Sequence, residues 1–286
     1  MSHVELAVAA PADAEETVAA VLAACGTTGS WIPRPGEVRA YFRAPAPGIE
    51  QRFATAWRET TGRPNPFPLE VRLVRREDWL GRWRSKVRPI RVGRRLWIAP
   101  PGCVADAAPP ARVVRIEPGL GFGTGAHPTT RALLAWIEET EPAERVLDVG
   151  TGSGVLALAA VAGGARWALG LDVDDLALDN AARNRDLNGR TGSLRLVRGT
   201  VDALRSGTRF DLLVANLDGP TLARILPQLG GHLAPGGRCG VAGCLAPERN
   251  VILARARAGG FELLDERCDP DPMAGDAWWS GWFAAP

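Results

Sequence analysis

The feature that most constrains this chain is Leu147-Asp148-Val149-Gly150-Thr151-Gly152-Ser153-Gly154, an apolar run that breaks into alternate glycines and resumes as Val155-Leu156-Ala157. Such a run reads as the close of a buried strand followed by the start of a helix. Glycine lets the backbone turn sharply and approach a ligand, and the first turn of a helix presents N–H groups without internal partners. A strand, a glycine turn and a helix make the first unit of a parallel α/β sheet. The chain from about residue 111 repeats the alternation. Residues 145–149, 167–171, 194–197, 210–215 and 238–241 read as strands, and helices begin near Val155, Asp175, Pro220 and Glu248. Residues 261–264 and 278–283 supply two further strands. The expectation is a Rossmann-like, doubly wound sheet.

The spacing of the glycines narrows the ligand. A dinucleotide fingerprint runs G-x-G-x-x-G, whereas the third glycine here comes one residue earlier and Asp148 precedes the first. A carboxylate suits a cationic amino group better than a pyrophosphate, and S-adenosylmethionine carries such an amino group and no phosphate. Asp148, Gly150 and Gly152 are therefore candidate cofactor contacts. Asp172, 24 residues after Asp148 at the tip of the next strand, is placed to accept both ribose hydroxyls of a nucleoside. Asp174 or Asp175 then caps the following helix. In the third loop, Gly199-Thr200-Val201-Asp202 brings Asp202 to the adenine edge, or is an exposed turn. Asn216 ends the fourth strand ahead of Asp218-Gly219-Pro220, where its carboxamide can accept from an incoming amine or cap the next helix.

Composition excludes several classes. At 286 residues, the chain is too long to be a small stapled scaffold, and 34 basic against 32 acidic residues are too balanced for nonspecific coating of DNA or RNA. Five scattered cysteines without C-x-x-C spacing suggest reduced thiols and no metal site. No apolar run has the length of a membrane span, and the first residues lack a signal-peptide pattern, so the expected location is the cytoplasm.

Before the sheet, residues 1–75 read as strand, helix, strand, strand, helix, strand, the ferredoxin-like order. Val4, Leu6 and Val8 alternate, as do Val38, Ala40 and Phe42 after a turn at Pro35-Gly36, while Ile49, Phe53, Ala56 and Trp57 share a helical stripe. Residues 76–110 form a connector with a short helix around Trp79, Leu80 and Trp83 and a hairpin turning at Gly93, which leaves residues 111–286 for the large sheet. Between Arg72 and Arg95 stand ten basic residues and two acidic ones. Residues 72–95 are either a docking surface for an anionic partner such as ribosomal RNA, or a solvated helix whose arginine stems cover apolar surface.

Upstream of the glycine turn, Glu117-Pro118-Gly119-Leu120-Gly121-Phe122-Gly123-Thr124-Gly125-Ala126-His127-Pro128-Thr129-Thr130 leads into a helix with Leu133, Leu134, Trp136 and Ile137. So many glycines make a loop able to fold over a ligand, which adds Phe122, Gly123 and Thr124 to the candidate contacts. This segment resembles the PrmA family, whose members methylate protein eleven of the large ribosomal subunit. The likeness extends to Asp148–Gly154, Ala215-Asn216-Leu217, Pro235-Gly236-Gly237, Glu77-Asp78-Trp79-Leu80 and Arg88-Pro89-Ile90-Arg91-Val92-Gly93. The resemblance implies a class I methyltransferase fold behind an N-terminal ferredoxin-like domain that recognises the ribosomal protein. It also implies S-adenosylmethionine contacts at Thr129, Gly150, Asp172 and Asn216. The chain departs from the family at Gly121, at Asn216-Leu217-Asp218 where Asn-Ile-Leu is usual, and at Ala242-Gly243-Cys244-Leu245 where Ser-Gly-Ile-Leu is usual.

The chemistry that follows is transfer of a methyl group from the sulfonium to a lysine or N-terminal amine, with Asn216 aligning the acceptor. His127 is a candidate base or a loop histidine bonded to backbone. Three other readings remain open. The acceptor could be another protein's lysine or a small molecule, or the chain could be a noncatalytic S-adenosylmethionine-binding module that docks on ribosomes. A nicotinamide dehydrogenase is disfavoured by the glycine spacing.

Overall fold

Val4, Leu6 and Val8 are the buried apolar positions of a strand, and the alternation that marks them in the sequence is the pleat itself. The structure, a computed structural model, describes residues 3–11, 14–27, 29–74, 88–103, 112–117, 125–270 and 276–285. The chain divides into two compact units, Met1–Val87 and Arg88–Pro286.

In the first unit, β1 (His3–Ala9), β2 (Gly29–Arg34), β3 (Glu37–Arg43) and β4 (Leu69–Val74) form an antiparallel sheet in the order β2-β3-β1-β4. Helices α1 (Glu15–Ala24) and α2 (Ile49–Thr61) supply Val18, Val21, Leu22, Ile49, Phe53 and Trp57 to the core beneath it. The four-residue spacing of Ile49, Phe53 and Trp57 keeps all three on one side of α2. Connection order and strand order together make the ferredoxin-like fold expected from the sequence.

The second unit begins with β5 (Ile90–Val92) and β6 (Leu96–Ala99), the expected hairpin. Strand β6 then pairs in parallel with β7 (Arg112–Arg115), so the hairpin placed in the connector belongs to a three-stranded sheet of this unit. The remainder of the connector from 76 to 87, with Trp79, Leu80 and Trp83, lies outside the described residues.

Helix α3 (Pro128–Glu139) precedes the large sheet, built from β8 (Arg145–Val149), β9 (Trp167–Asp172), β10 (Leu194–Arg198), β11 (Phe210–Asn216), β12 (Leu233–Leu245), β13 (Glu262–Pro270) and β14 (Ala277–Ala284). Its order is β10-β9-β8-β11-β12-β14-β13, parallel through β12 and antiparallel at β14 and β13. Helix α4 (Val155–Gly163) is apolar on every side, with Val155 to Val161 all buried. The reason is its place between two sheets: Val92, Leu96, Ile98 and Val114 of the small one and Val146, Ala168 and Val214 of the large one share its core. Helices α5 (Asp175–Leu187), α6 (Gly219–Leu229) and α7 (Arg249–Ala258) complete the unit, and α6 and α7 cover the opposite face with Leu222, Leu226, Ile252 and Ala256. Strand order reverses between β8 and β11, which puts the carboxyl ends of β9, β8 and β11 side by side.

Candidate functional site

The turn after β8 holds Gly150, Gly152 and Gly154 at φ of 70°, 55° and 79°, left-handed values that other residues adopt only with strain. The N–H groups of Gly150 and Thr151 donate to the Leu171 carbonyl at 2.8 and 2.9 Å and fasten the turn to β9. Gly150 is also a close approach, since a Cβ there would stand 2.4 Å from Leu217 Cδ2. The side chain following β11 therefore lies directly on the turn.

Asp148 is fully enclosed. Its Oδ2 accepts from Thr151 Oγ1 at 2.8 Å and from the Ala157 N–H at 3.2 Å, while its Oδ1 has no hydrogen-bond partner. Burial pushes this carboxyl up to about 6, the field of Asp172 adds to the rise, and the bonds from Thr151 and Ala157 oppose it. An acidic oxygen held without a donor in a glycine-lined turn fits a cationic amino group, directly or through water.

Asp172, partly exposed at the tip of β9, accepts from the Gly152 N–H with Oδ2 at 2.9 Å and from the Asp174 N–H with Oδ1 at 3.0 Å. Asp174 caps α5 by accepting from the Leu176 N–H at 2.9 Å, which separates the capping aspartate from Asp172, the candidate for binding. Asp148, Gly150, Gly152 and Asp172 are thus drawn into one cluster.

Asn216 closes β11, and its Nδ2 donates to Thr130 Oγ1 at 3.0 Å. It does not cap α6. Asp218 does, accepting from the N–H and the hydroxyl of Thr221 at 2.9 Å each. The departure from the family at residue 218 is therefore a helix cap. Cys244, the other departure on this side, is buried in β12 with its thiol 3.7 Å from the Trp279 carbonyl, and burial pushes it up to about 12, far from a reactive thiolate.

Thr129 is buried and its hydroxyl meets His127 Nδ1 at 2.7 Å. His127 stands at the N-cap position of α3, its ring edge-on to Trp278 with centroids 5.0 Å apart. Trp279 and Trp282 of the same strand are core residues. Asp202 lies in a 3-10 turn, accepts from Thr200 Oγ1 at 2.9 Å, and is not among the groups bonded to the glycine turn. Phe122, Gly123 and Thr124 fall outside the described residues. Sequence reasoning missed Thr130 and the buried Asn184, whose Nδ2 donates to the Ser153 carbonyl at 2.9 Å. Among the described residues no cluster of metal-ligating side chains occurs, and no helix is long and apolar enough to cross a membrane.

A seven-stranded sheet in this order, with a glycine turn after its first strand and an acidic residue at the tip of the second, defines a class I methyltransferase fold. Within that class the chain belongs to the ribosomal protein L11 methyltransferase (PrmA) family, whose sequence profile matches residues 31–271. A relative from Pelotomaculum thermopropionicum, named ribosomal protein L11 methyltransferase, is 31% identical across 93% of this chain and 95% of its own length. One of the same name from Symbiobacterium thermophilum is 36% identical across 79% of this chain and 72% of its own. The crystal structure of ribosomal protein L11 methylase from Lactobacillus delbrueckii subsp. bulgaricus is 30% identical, with a TM-score of 0.58, and the match covers 70% of this chain and 99% of that one.

Proposed function

We propose that this protein transfers methyl groups from S-adenosylmethionine to lysine side-chain or N-terminal amines of ribosomal protein L11. The observation that carries the reading is the placement of Asp148, Asp172 and Asn216 at the carboxyl ends of three adjacent strands in a chain whose relatives bear that name.

The cofactor contributes an electrophilic methyl group on a sulfonium. Of the chain's own residues, Asp148 offers its unpaired Oδ1 to the cofactor's ammonium, and Asp172 offers its partly exposed carboxylate to the ribose hydroxyls. Gly150 and Gly152 line the same edge, and Thr129, Phe122, Gly123, Thr124 and Asp202 remain contacts proposed from sequence. The acceptor must arrive neutral, because an amine with pKa of about 10.4 is mostly protonated at neutral pH and a protonated amine has no lone pair. Desolvation on docking lowers that value. With Nδ2 committed to Thr130, Asn216 offers its Oδ1 to accept from an N–H of the acceptor amine and aim the lone pair, so catalysis rests on alignment. The ferredoxin-like unit at the N-terminus is assigned to recognition of the protein substrate.

Mass spectrometry of L11 from the same organism, incubated with the protein and S-adenosylmethionine, tests the reading. Added mass in steps of one methyl group on amines is the expected result. Unmodified L11, with cofactor binding intact by calorimetry, would overturn the assigned acceptor and leave the methyltransferase fold standing.

A further inference from the structure

Ala157 is the third residue of α4, and in a regular helix its N–H would close on the carbonyl four residues earlier, that of Ser153. It donates instead to Asp148 Oδ2, and the Leu158 N–H is the one that returns to the helix, donating to the Gly154 carbonyl at 2.8 Å. The Ser153 carbonyl, in a residue only 2% exposed, is therefore not closed by the Ala157 N–H. A buried acceptor in that position requires a replacement.

Asn184 supplies it. From the sheet-facing side of α5 its Nδ2 donates to the Ser153 carbonyl at 2.9 Å, while its Oδ1 accepts from the Glu117 N–H at 2.7 Å. The side chain is wholly buried, and its carboxamide joins two stretches of backbone, one 31 and the other 67 residues away in sequence, with Nδ2 also reaching the Glu117 carbonyl at 3.5 Å. The position needs a donor at one end and an acceptor at the other, without charge. Aspartate would set oxygen against oxygen at Ser153, and leucine would remove the Asn184 bond from both backbone groups.

We propose that Asn184 is a positioning residue for cofactor binding. It fixes the Gly150–Gly154 turn through the Ser153 carbonyl and ties that turn to the chain at Glu117. Through the turn it keeps the Gly152 N–H against Asp172. The inference rests on the reading of this turn as a cofactor site. A built-in comparison is Asn188, one helical turn further on, which holds the N–H and carbonyl of Arg115 at 2.8 and 2.6 Å and does not bond to the glycine turn. From the C-cap of the same helix it anchors the end of β7, two residues before Glu117.

Affinity for S-adenosylhomocysteine, measured by calorimetry on the full chain at a temperature where melting curves show each variant folded, separates the two roles. Asn184→Leu and Asn184→Asp should each weaken binding about tenfold or more, while Asn188→Leu stays within about twofold of wild type. Equal losses at both positions, or unchanged affinity in a folded Asn184 variant, would overturn the proposal. If neither Asn184 variant folds, hydrogen exchange of the wild-type Glu117 amide decides: slowing on addition of S-adenosylhomocysteine supports the tie and an unchanged rate refutes it. A wild-type chain that binds no S-adenosylhomocysteine would instead strike the cofactor reading itself.

Discussion

Thr130 Oγ1 and Asn216 Nδ2 stand 3.0 Å apart, joining the first turn of α3 to the end of β11 and fixing the orientation of the Asn216 carboxamide, whose Oδ1 lies beside Gly243. Thr130 is 1% exposed, so water cannot take the place of either partner without a rearrangement. Replacing Thr130 by the isosteric valine removes the acceptor and frees the carboxamide to rotate. The expected outcome is a fall in kcat of about tenfold to a hundredfold, equivalent to about 1–3 kcal/mol, with affinity for S-adenosylhomocysteine little changed. Thr130→Ser should restore most of the rate. Steady-state kinetics paired with calorimetry check this, and a loss confined to cofactor affinity would contradict it.

Gly243 constrains the same carboxamide from the other side. Its φ is 100°, and a Cβ there would lie 2.5 Å from the Leu217 carbonyl oxygen and 2.8 Å from Asn216 Oδ1. Gly243→Ala must therefore displace Asn216 or the backbone after it, and it adds left-handed strain of about 1–2 kcal/mol. The variant should fold with a lowered melting temperature and lose transfer activity far beyond the loss in stability. Full activity in a folded Gly243→Ala protein would remove Asn216 from the acceptor side.

Asp172 does two jobs at once, since its two oxygens hold the N–H groups of Gly152 and Asp174 while remaining open to solvent. Asp172→Ala should weaken cofactor binding by about 1–3 kcal/mol through lost charge-assisted bonds. It should also lower the melting temperature by a few degrees, about 2–4 °C for each kcal/mol, because two backbone donors lose their acceptor. Calorimetry and thermal unfolding measured together test the pair of effects. Unchanged affinity would refute the ribose assignment.

How much of this could be read from the residues follows from where each partner lies. Asp148, Gly150, Gly152, Asp172 and Asn216 are legible because the chemistry of an open α/β sheet collects at strand ends, and strand ends are marked by apolar runs breaking into glycine or acid. The partner of Asn216 is 86 residues away, and nothing local singles out Thr130 from Thr129. Asn184 left a fainter mark: Asn180, Asn184 and Asn188 recur every fourth residue, a row of poor helix formers along one face of α5 and its C-cap. Strand β12 is longer than the expected 238–241 because its pairing with β11 begins at Leu233, ahead of a bulge at Pro235-Gly236-Gly237 where Gly236 takes a φ of 71°, and because it runs on to Leu245 past an irregularity between Ala242 and Cys244. Asp218 reads as a change on the acceptor side until its bonds to Thr221 place it as a cap.

The unpaired oxygen of Asp148 makes the last prediction one of pH. Burial raises this carboxyl from 3.8 to about 6 in the folded chain. Between those values the folded state holds a proton that the unfolded state has released, so stability falls as pH rises through that window, and the whole penalty, about 3 kcal/mol, is present above it. Asp148→Asn keeps an acceptor for Thr151 and Ala157 without the charge. It should therefore be more stable than wild type at neutral pH, with little gain in acid, and its melting temperature should be flatter across the window. Binding runs the other way. A cofactor ammonium favours the ionised carboxylate, so wild-type affinity for S-adenosylhomocysteine should climb from about pH 5 and level off towards about pH 8, whereas Asp148→Asn should bind weakly throughout. Thermal unfolding and calorimetry of both proteins across that range test the two halves together. A wild-type affinity that ignores pH would separate Asp148 from the ammonium, even if the stability profile followed the titration of the carboxyl.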